Sequence, residues 1–105
     1  MEVIRLVQGD TNPDLMFQIV QDGNPVDLTG CTVYFTMKKI GGSVKIDNAV
    51  CTIVDAENGL AKYEWQEGDT SEAGDYEGEV RVVDASGEIQ TGYEKIKIRI
   101  REKIQ

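Results

Sequence analysis

The segment at residues 68–82 constrains the fold of this chain more than any other, because it joins a polar turn to a long alternating stretch. Residues at alternate positions lie on one face of a β-strand. The alternate residues here are Glu72, Gly74, Tyr76, Gly78, Val80 and Val82. A tyrosine near the start of such a strand is typical of a tyrosine corner, in which the phenol hydroxyl bonds to nearby backbone. We therefore expect Glu72, Gly74, Tyr76 and Gly78 to form a structural corner.

Tyrosine corners occur in immunoglobulin-like β-sandwiches, and in antibody domains a bridging cysteine follows two residues after the tyrosine. Here that position is Gly78, which we interpret as a close-packing position facing the opposite sheet. Cys31 and Cys51 each alternate with apolar residues, which favours two buried thiols over a disulfide bridge between them. The pattern predicts a sandwich without an inter-sheet disulfide.

Seven or eight short segments rich in β-branched and aromatic residues are separated by turn signals, and helical periodicity is absent. We expect one all-β domain over residues 1–105, an immunoglobulin-like antiparallel β-sandwich. The predicted strands cover residues 2–8, 15–21, 31–38, 44–46, 49–54, 60–66, 75–84 and 88–101. Turns are predicted at residues 22–25 and 55–59, where Asn58 and Gly59 suit two consecutive positive φ angles.

Net charge argues against two classes of partner. The chain carries 19 acidic and 11 basic residues, a formal net charge of -8, so nucleic acid and anionic membrane surfaces would be repelled on average. One basic strip comprises Lys95, Lys97, Arg99, Arg101 and Lys103. Because these residues alternate with Ile96, Ile98 and Ile100, we expect the strip to be the solvated face of a strand. The N-terminal residues have no leader-peptide pattern, and no apolar run is long enough to span a bilayer.

The sequence offers little for catalysis or metal binding. It contains no histidine, which removes the Ser-His-Asp triad, the Cys-His pair and most zinc sites. Residues 55–59 resemble half of a calcium loop, but Gln66 stands where the bidentate glutamate belongs. Asp69 and Glu72 are better explained as turn residues that accept hydrogen bonds from backbone amides. We expect no enzyme activity, no cofactor and no metal.

Aromatic side chains support one ligand hypothesis, stacking against a sugar ring by Tyr34, Trp65 or Tyr93. Trp65 is in phase with Ala61 and Tyr63, which favours a place in the core. Tyr34 alternates against the apolar face of its strand, so it is expected to point outward. A carbohydrate-binding or generic adhesion sandwich is therefore the alternative, and carbohydrate is the less favoured partner.

The order of the turn and strand motifs resembles the N-terminal domain of phage baseplate upper proteins, over residues 4–100. The resemblance lies in these motifs: Gly9-Asp10-Thr11, Pro25-Val26-Asp27-Leu28-Thr29-Gly30-Cys31-Thr32-Val33, Phe35-Thr36-Met37-Lys38, Asn58-Gly59, Tyr63-Glu64-Trp65, Gly68-Asp69-Thr70 and Ala73-Gly74-Asp75-Tyr76-Glu77-Gly78-Glu79. It implies a non-enzymatic module of a phage or prophage tail that links a receptor-binding protein to the tail hub. It also implies other tail proteins as partners, an oligomer that is commonly a trimer, and a place in the virion after assembly in the bacterial cytoplasm.

Loops on a rigid scaffold are the usual binding elements of such modules. Two segments are candidates for the assembly interface, the loop at residues 9–14 and the hairpin at residues 38–48. Their candidate interface residues are Asp10, Thr11, Lys38, Lys39 and Lys45.

Overall fold

The computed structural model describes residues 3–87, 89–91 and 96–104, and this part of the chain forms eleven β-strands and no helix. In chain order the strands are β1 (Val3–Val7), β2 (Leu15–Gln18), β3 (Val20–Gln21), β4 (Asn24–Pro25), β5 (Thr32–Lys39), β6 (Val44–Val50), β7 (Thr52–Asp55), β8 (Leu60–Tyr63), β9 (Gly74–Val83), β10 (Ile89–Thr91) and β11 (Ile96–Arg101). No helix able to cross a membrane occurs among these residues.

The strands form two main sheets and a small hairpin. The larger sheet has the order β1-β11-β9-β5-β6, with β10 also paired to β9, and the smaller one has the order β2-β8-β7. Strands β3 and β4 make a separate two-stranded hairpin. The all-β sandwich predicted from the alternating segments is confirmed.

One strand pair departs from the antiparallel pattern. Strand β1 lies parallel to β11, with Val3 opposite Lys97 and Val7 opposite Arg101, whereas the other pairs are antiparallel among the described strands. Alternation alone does not distinguish the two directions, because the side-chain period is the same in both.

The core lies between the two main sheets, where the apolar faces of their strands meet. Phe35 on β5 and Tyr63 on β8 place their ring centroids 5.0 Å apart, and Trp65 packs edge-on against both. These three side chains are buried, as are the inward residues of β9 and β11: Tyr76, Val80, Val82, Ile98 and Ile100. The exposed residues between them, such as Lys97 and Arg99, confirm the predicted alternation of β11.

Two predicted strands are divided in the structure. The segment at residues 15–21 breaks at Ile19, which is buried and donates its backbone N–H to the carbonyl of Gly59. The chain leaves the larger sheet after β6 and joins the smaller one as β7, and Cys51 is buried at this crossing. Cys51 and the half-buried Cys31 are both free thiols, as predicted.

The predicted turn geometry at residues 55–59 is wrong in one respect. Strands β7 and β8 are paired as predicted, but only Gly59 has a positive φ, of 67°, and Asn58 does not. The pairing register shifts between Ile53 and Asp55, and the Asn58 amide donates to the Asp55 carboxylate at 2.8 Å. A longer turn closed by a side chain replaces the two-residue turn. Asn24 and Pro25, predicted as turn residues, instead form β4.

The order of the strands gathers several loops at one end of the larger sheet. Strand pairing places Val7 beside Arg101, Ile100 beside Gly74, and Tyr76 beside Lys39. Therefore the end of β1, the start of β9 and the tip of the β5–β6 hairpin lie together. We call this region, residues 9–14, 40–43 and 66–73, the loop end.

Candidate assembly surface

The corner at the start of β9 is held by a hydrogen bond from a buried side chain. The Tyr76 hydroxyl donates to the backbone carbonyl of Glu72 at 2.7 Å, and the Tyr76 side chain is 1% exposed. Desolvation by the surrounding core, followed by the nearby Glu72 carboxylate, raises the pKa of the Tyr76 phenol. The phenol therefore stays neutral and keeps the loop at residues 66–73 attached to the core.

Gly78 faces the core one step further along β9, and its neighbours differ from those expected. A β-carbon at Gly78 would lie 2.7 Å from Cε1 of Phe35 and 3.3 Å from Cδ1 of Ile98. Both side chains belong to adjacent strands of the same sheet, not to the opposite sheet. The ring of Phe35 thus leans over Gly78 and covers the position that a larger side chain would fill.

Glu72 fastens the hairpin tip to the corner through its side chain. Its carboxylate lies 2.6 Å from the ammonium of Lys39, at the end of β5. The hydrogen bond that Lys39 donates to the Glu72 carboxylate raises the pKa of Lys39 and lowers the pKa of Glu72. Lys45 adds a second link, because its ammonium donates to the Ser71 hydroxyl at 3.2 Å.

The loop at residues 9–14 is fastened to the same place by a buried threonine. Thr70 is 2% exposed, and its hydroxyl donates to the backbone carbonyl of Asp10 at 2.7 Å. In return the backbone N–H of Gly9 donates to the carbonyl of Thr70 at 3.0 Å. Thr70 belongs to a sequence motif, but its contact with Asp10, 60 residues earlier, is not evident from the sequence.

Two Gly-Asp-Thr triplets build the loop end with the same local geometry. In each, the aspartate carboxylate accepts from the backbone N–H three residues earlier, Val7 to Asp10 at 3.0 Å and Gln66 to Asp69 at 2.8 Å. Each aspartate N–H also donates to the carbonyl of that earlier residue. The preceding glycines have φ angles of 89° and 92°, a region that L side chains rarely adopt. The repeated triplet is the signal from which both turns could have been found.

The tip of the β5–β6 hairpin adds exposed apolar surface to the loop end. The side chains of Ile40 and Val44 are each 53% exposed. They line a concavity of about 280 Å³ together with Lys39, Glu72 and Tyr76. The backbone N–H of Ile40 donates to the carbonyl of Asp75 at 2.9 Å, which joins the tip to the start of β9. The sequence predicts a strand at residues 44–46, and its pattern does not indicate that Ile40 and Val44 are exposed.

The structure brings together some of the predicted interface residues and separates others. Asp10, Lys39 and Lys45 all lie around residues 70–72, and Thr11 is exposed in the adjacent loop. Lys38 instead lines the outer face of the larger sheet, beside Thr36 and Glu77. Thus the two loops proposed separately from the sequence form one continuous surface, with Lys38 at its margin.

The three aromatic candidates for sugar stacking do not form one exposed surface in the described part of the chain. Trp65 is 5% exposed and packs in the core. Tyr34 lies on the outer face of β5 with the Arg81 guanidinium carbon 4.8 Å from its ring centroid. Tyr93 lies outside the described residues. A stacking platform with at least two exposed rings is therefore not present among Tyr34, Trp65 and their described neighbours.

The carboxylates and thiols that could take part in catalysis either have structural contacts or are in an unreactive protonation state. The Asp69 carboxylate accepts hydrogen bonds from the backbone N–H of Gln66 and, at 2.5 Å, from the Tyr63 hydroxyl. The Glu72 carboxylate pairs with Lys39. Burial raises the pKa of the Cys51 thiol to about 12, so little reactive thiolate forms near neutral pH. Over the described ranges, no group of three or more Cys, Asp or Glu residues is arranged to hold a metal ion.

Comparison with known proteins places this fold. The profile of the BppU N-terminal domain family matches residues 1–104. No curated protein matches the chain. Among solved structures, the N-terminal domain of phage TP901-1 ORF48 is similar, with a TM-score of 0.66 and 19% sequence identity over 97% of this chain and 85% of that one. CopC from Methylosinus trichosporium OB3b is similar with a TM-score of 0.57 and 12% identity, over 97% of this chain and 86% of that one.

The two solved structures agree with the sandwich architecture. At 12% and 19% sequence identity, they support the fold alone. The family match spans nearly the whole chain, and it agrees with the resemblance based on the turn and strand motifs. The chain therefore belongs to the family of BppU, or baseplate upper protein, N-terminal domains and is a structural domain of a bacteriophage baseplate or tail.

Proposed function

We propose that this domain is a non-enzymatic connector that links a receptor-binding protein to the central tail hub, and that the loop end makes one of these connections. The observation that carries the proposal is the convergence of three chain segments on one surface, joined by the Thr70–Asp10 and Glu72–Lys39 contacts. The family supports a role in the tail, and the loop end supplies a place for the contact.

Rigidity supports the loop end as a binding surface. Loops that are already held in place lose less conformational entropy on binding than mobile ones do. The hydroxyls of Tyr76 and Thr70 both donate from buried positions to loop carbonyls. Tyr76 thus attaches the loop at residues 66–73 to the core, and Thr70 joins the loop at residues 9–14 to it, which favours recognition by a preformed surface.

The chemistry of the surface also fits a protein partner. Specific interfaces commonly have an apolar centre and a polar rim. At the loop end and the adjoining start of β6, the exposed aliphatic side chains of Ile40 and Val44 are bordered by Lys39, Lys45 and Glu72. The engaged carboxylates and the raised thiol pKa values favour a structural role over catalysis.

Self-association and location form the remainder of the proposal. Oligomers of a tail connector, trimers in particular, would place several copies of the loop end around the hub. The domain would then act in the virion, after assembly in the bacterial cytoplasm. Light scattering at several protein concentrations tests the oligomer, and a strictly monomeric result would contradict that part of the proposal.

The test of the connection uses a purified tail-hub protein of the same phage or prophage, with binding measured by surface plasmon resonance. Replacing Ile40 and Val44 together by Asp should weaken binding about tenfold or more. Charge reversal at Lys38, Lys39 and Lys45 probes the polar rim in the same assay. The matched control is Val54→Asp, because Val54 is 50% exposed on the smaller sheet. Equal affinities for the loop-end variant and the control would contradict the proposal.

A further inference from the structure

The outer face of β1 and β11 concentrates positive charge in an acidic protein. Parallel pairing sets Arg5 beside Arg99 and Val7 beside Arg101. The three arginines are exposed, and Lys97 continues the row opposite Val3. The chain as a whole has a formal net charge of -8, so this face is opposite in sign to the molecular average.

Neighbouring strands neutralise only part of this charge. On the β9 side, Nε of Arg99 lies 2.9 Å from a carboxylate oxygen of Asp75. On the other side, β1 is the edge of the larger sheet, and within the described ranges Arg5 has no carboxylate partner. Like charges at paired positions on adjacent strands are destabilising. Folding therefore gains little from Arg5 beside Arg99, and an external anion would relieve their repulsion.

The arginines also border a cleft of suitable chemistry. A cleft of about 220 Å³ is lined by Arg5, Leu6, Val7, Arg99 and Arg101. A guanidinium group presents a planar fork of N–H donors that matches the two oxygens of a carboxylate. We propose that this cleft binds the carboxylate side chains of a short acidic segment of a partner protein.

The surroundings of the cleft favour a short acidic peptide over nucleic acid. Strand β9, next to β11, carries Asp75, Glu77 and Glu79 at alternate positions on the same outer face. A long polyanion lying across the sheet would meet this acidic row, whereas one or two carboxylates fit beside the arginines alone. Nucleic-acid affinity depends on many simultaneous phosphate contacts, which the short basic row does not provide.

The basic face of β1 and β11 can be tested without the partner of the loop end. The probe is a blocked ten-residue peptide containing four glutamates, compared with the same peptide carrying glutamines, and a ten-nucleotide thymidine strand. Each is titrated into the isotope-labelled protein, and amide NMR shifts are followed. The glutamate peptide should shift amides of β1 and β11 selectively, and its affinity should fall about fivefold as the salt concentration rises from 0.05 to 0.3 M, because salt screens the attraction between the charges.

Matched variants make the outcome decisive. Arg5→Gln with Arg101→Gln should weaken peptide binding about tenfold, since two charge-assisted contacts are lost. Lys38→Gln with Lys62→Gln removes the same charge from β5 and β8, outside the cleft, and should leave the affinity unchanged. Thermal unfolding checks that every variant is folded. Shifts located elsewhere, equal effects of the two double variants, or tighter binding of the thymidine strand to β1 and β11 would each overturn the proposal.

Discussion

The Tyr76 hydroxyl and the Glu72 carbonyl, 2.7 Å apart, connect the most buried tyrosine of the described residues to the loop that organises the exposed end of the domain. Glu72 takes part twice, since its backbone bonds to Tyr76 while its carboxylate bonds to Lys39. The core and the hairpin tip therefore meet at one residue. Because the two contacts use different atoms, substitutions can test them separately.

Removing the phenol hydroxyl tests the core side of this connection. Tyr76→Phe keeps the buried ring but loses the bond to Glu72, and we expect the free energy of unfolding to fall by about 1 kcal/mol. Urea denaturation measures the change. Tyr34→Phe, on the outer face of β5, is the matched control and should change stability by no more than a few tenths of a kcal/mol, roughly the usual surface effect. A neutral Tyr76→Phe would show that the hydrogen bond does not stabilise the corner.

Titration of the Lys39–Glu72 pair tests the surface side. The folded pKa of Glu72 is lowered from 4.5, so its stabilisation is present above the unfolded pKa and is lost as pH falls through the folded value. The folded pKa of Lys39 is raised from 10.5, so its part is lost as pH rises through that folded value. The stability difference between the native chain and Glu72→Gln should therefore be largest near neutral pH and vanish in acid. A difference that persists at low pH, measured by urea denaturation, contradicts this origin.

The two Gly-Asp-Thr triplets provide an internal control for the buried threonine. Thr70→Val keeps the shape of the side chain but removes the donor to the Asp10 carbonyl, and about 1–2 kcal/mol of stability should be lost. Amide hydrogen exchange at residues 9–14 should also become faster. Thr11→Val changes the exposed threonine of the other triplet and should do neither. If both variants behave alike, Thr70 does not hold the loop.

Crowding by the Phe35 ring makes Gly78 sensitive to substitution. Gly78→Val should lower the free energy of unfolding by roughly 1–3 kcal/mol, because the added carbons overlap the ring. Thermal and urea unfolding measure the loss. Gly78→Ala should be partly rescued by Phe35→Leu in a double-mutant cycle. Independent, additive effects would show that the ring is not the obstacle.

The two thiols should differ in reactivity. Native protein at pH 8 should react with a disulfide reagent first at half-buried Cys31 and much later at Cys51, whose pKa burial raises to about 12. Mass spectrometry of partly labelled protein assigns the site. In denaturant without reductant, two thiols should be counted. A count of zero would indicate a bridge.

Local patterns in the sequence predict much of this fold. Alternation at Tyr76, Gly78 and Val80 gives the inward face of β9, and the phase of Trp65 gives its place in the core. Turn signals give most strand boundaries to within a few residues. The parallel pairing of β1 and the division of the chain at Cys51 depend on contacts between distant segments, which a local period does not encode.

The candidate site is harder to predict from the sequence than the fold, because it also depends on contacts between distant segments of the chain. The sequence places Asp10, Lys39 and Lys45 on two separate loops, and the structure joins them through residues 70–72, which are far away in the chain. The burial of Thr70 follows from a contact with a residue 60 positions earlier. The exposure of Ile40 and Val44 depends on the hairpin tip, where apolar residues do not reach the core.

Hydrogen exchange of the complex with the hub protein shows which part of the domain is covered on binding. Amides of the free domain and of the complex are compared by mass spectrometry. We expect slower exchange on binding at residues 9–14, 40–43 and 66–73, with little change at β7 and β8. Protection confined to the smaller sheet, with these three segments unchanged, would contradict the assignment of the loop end as the assembly surface.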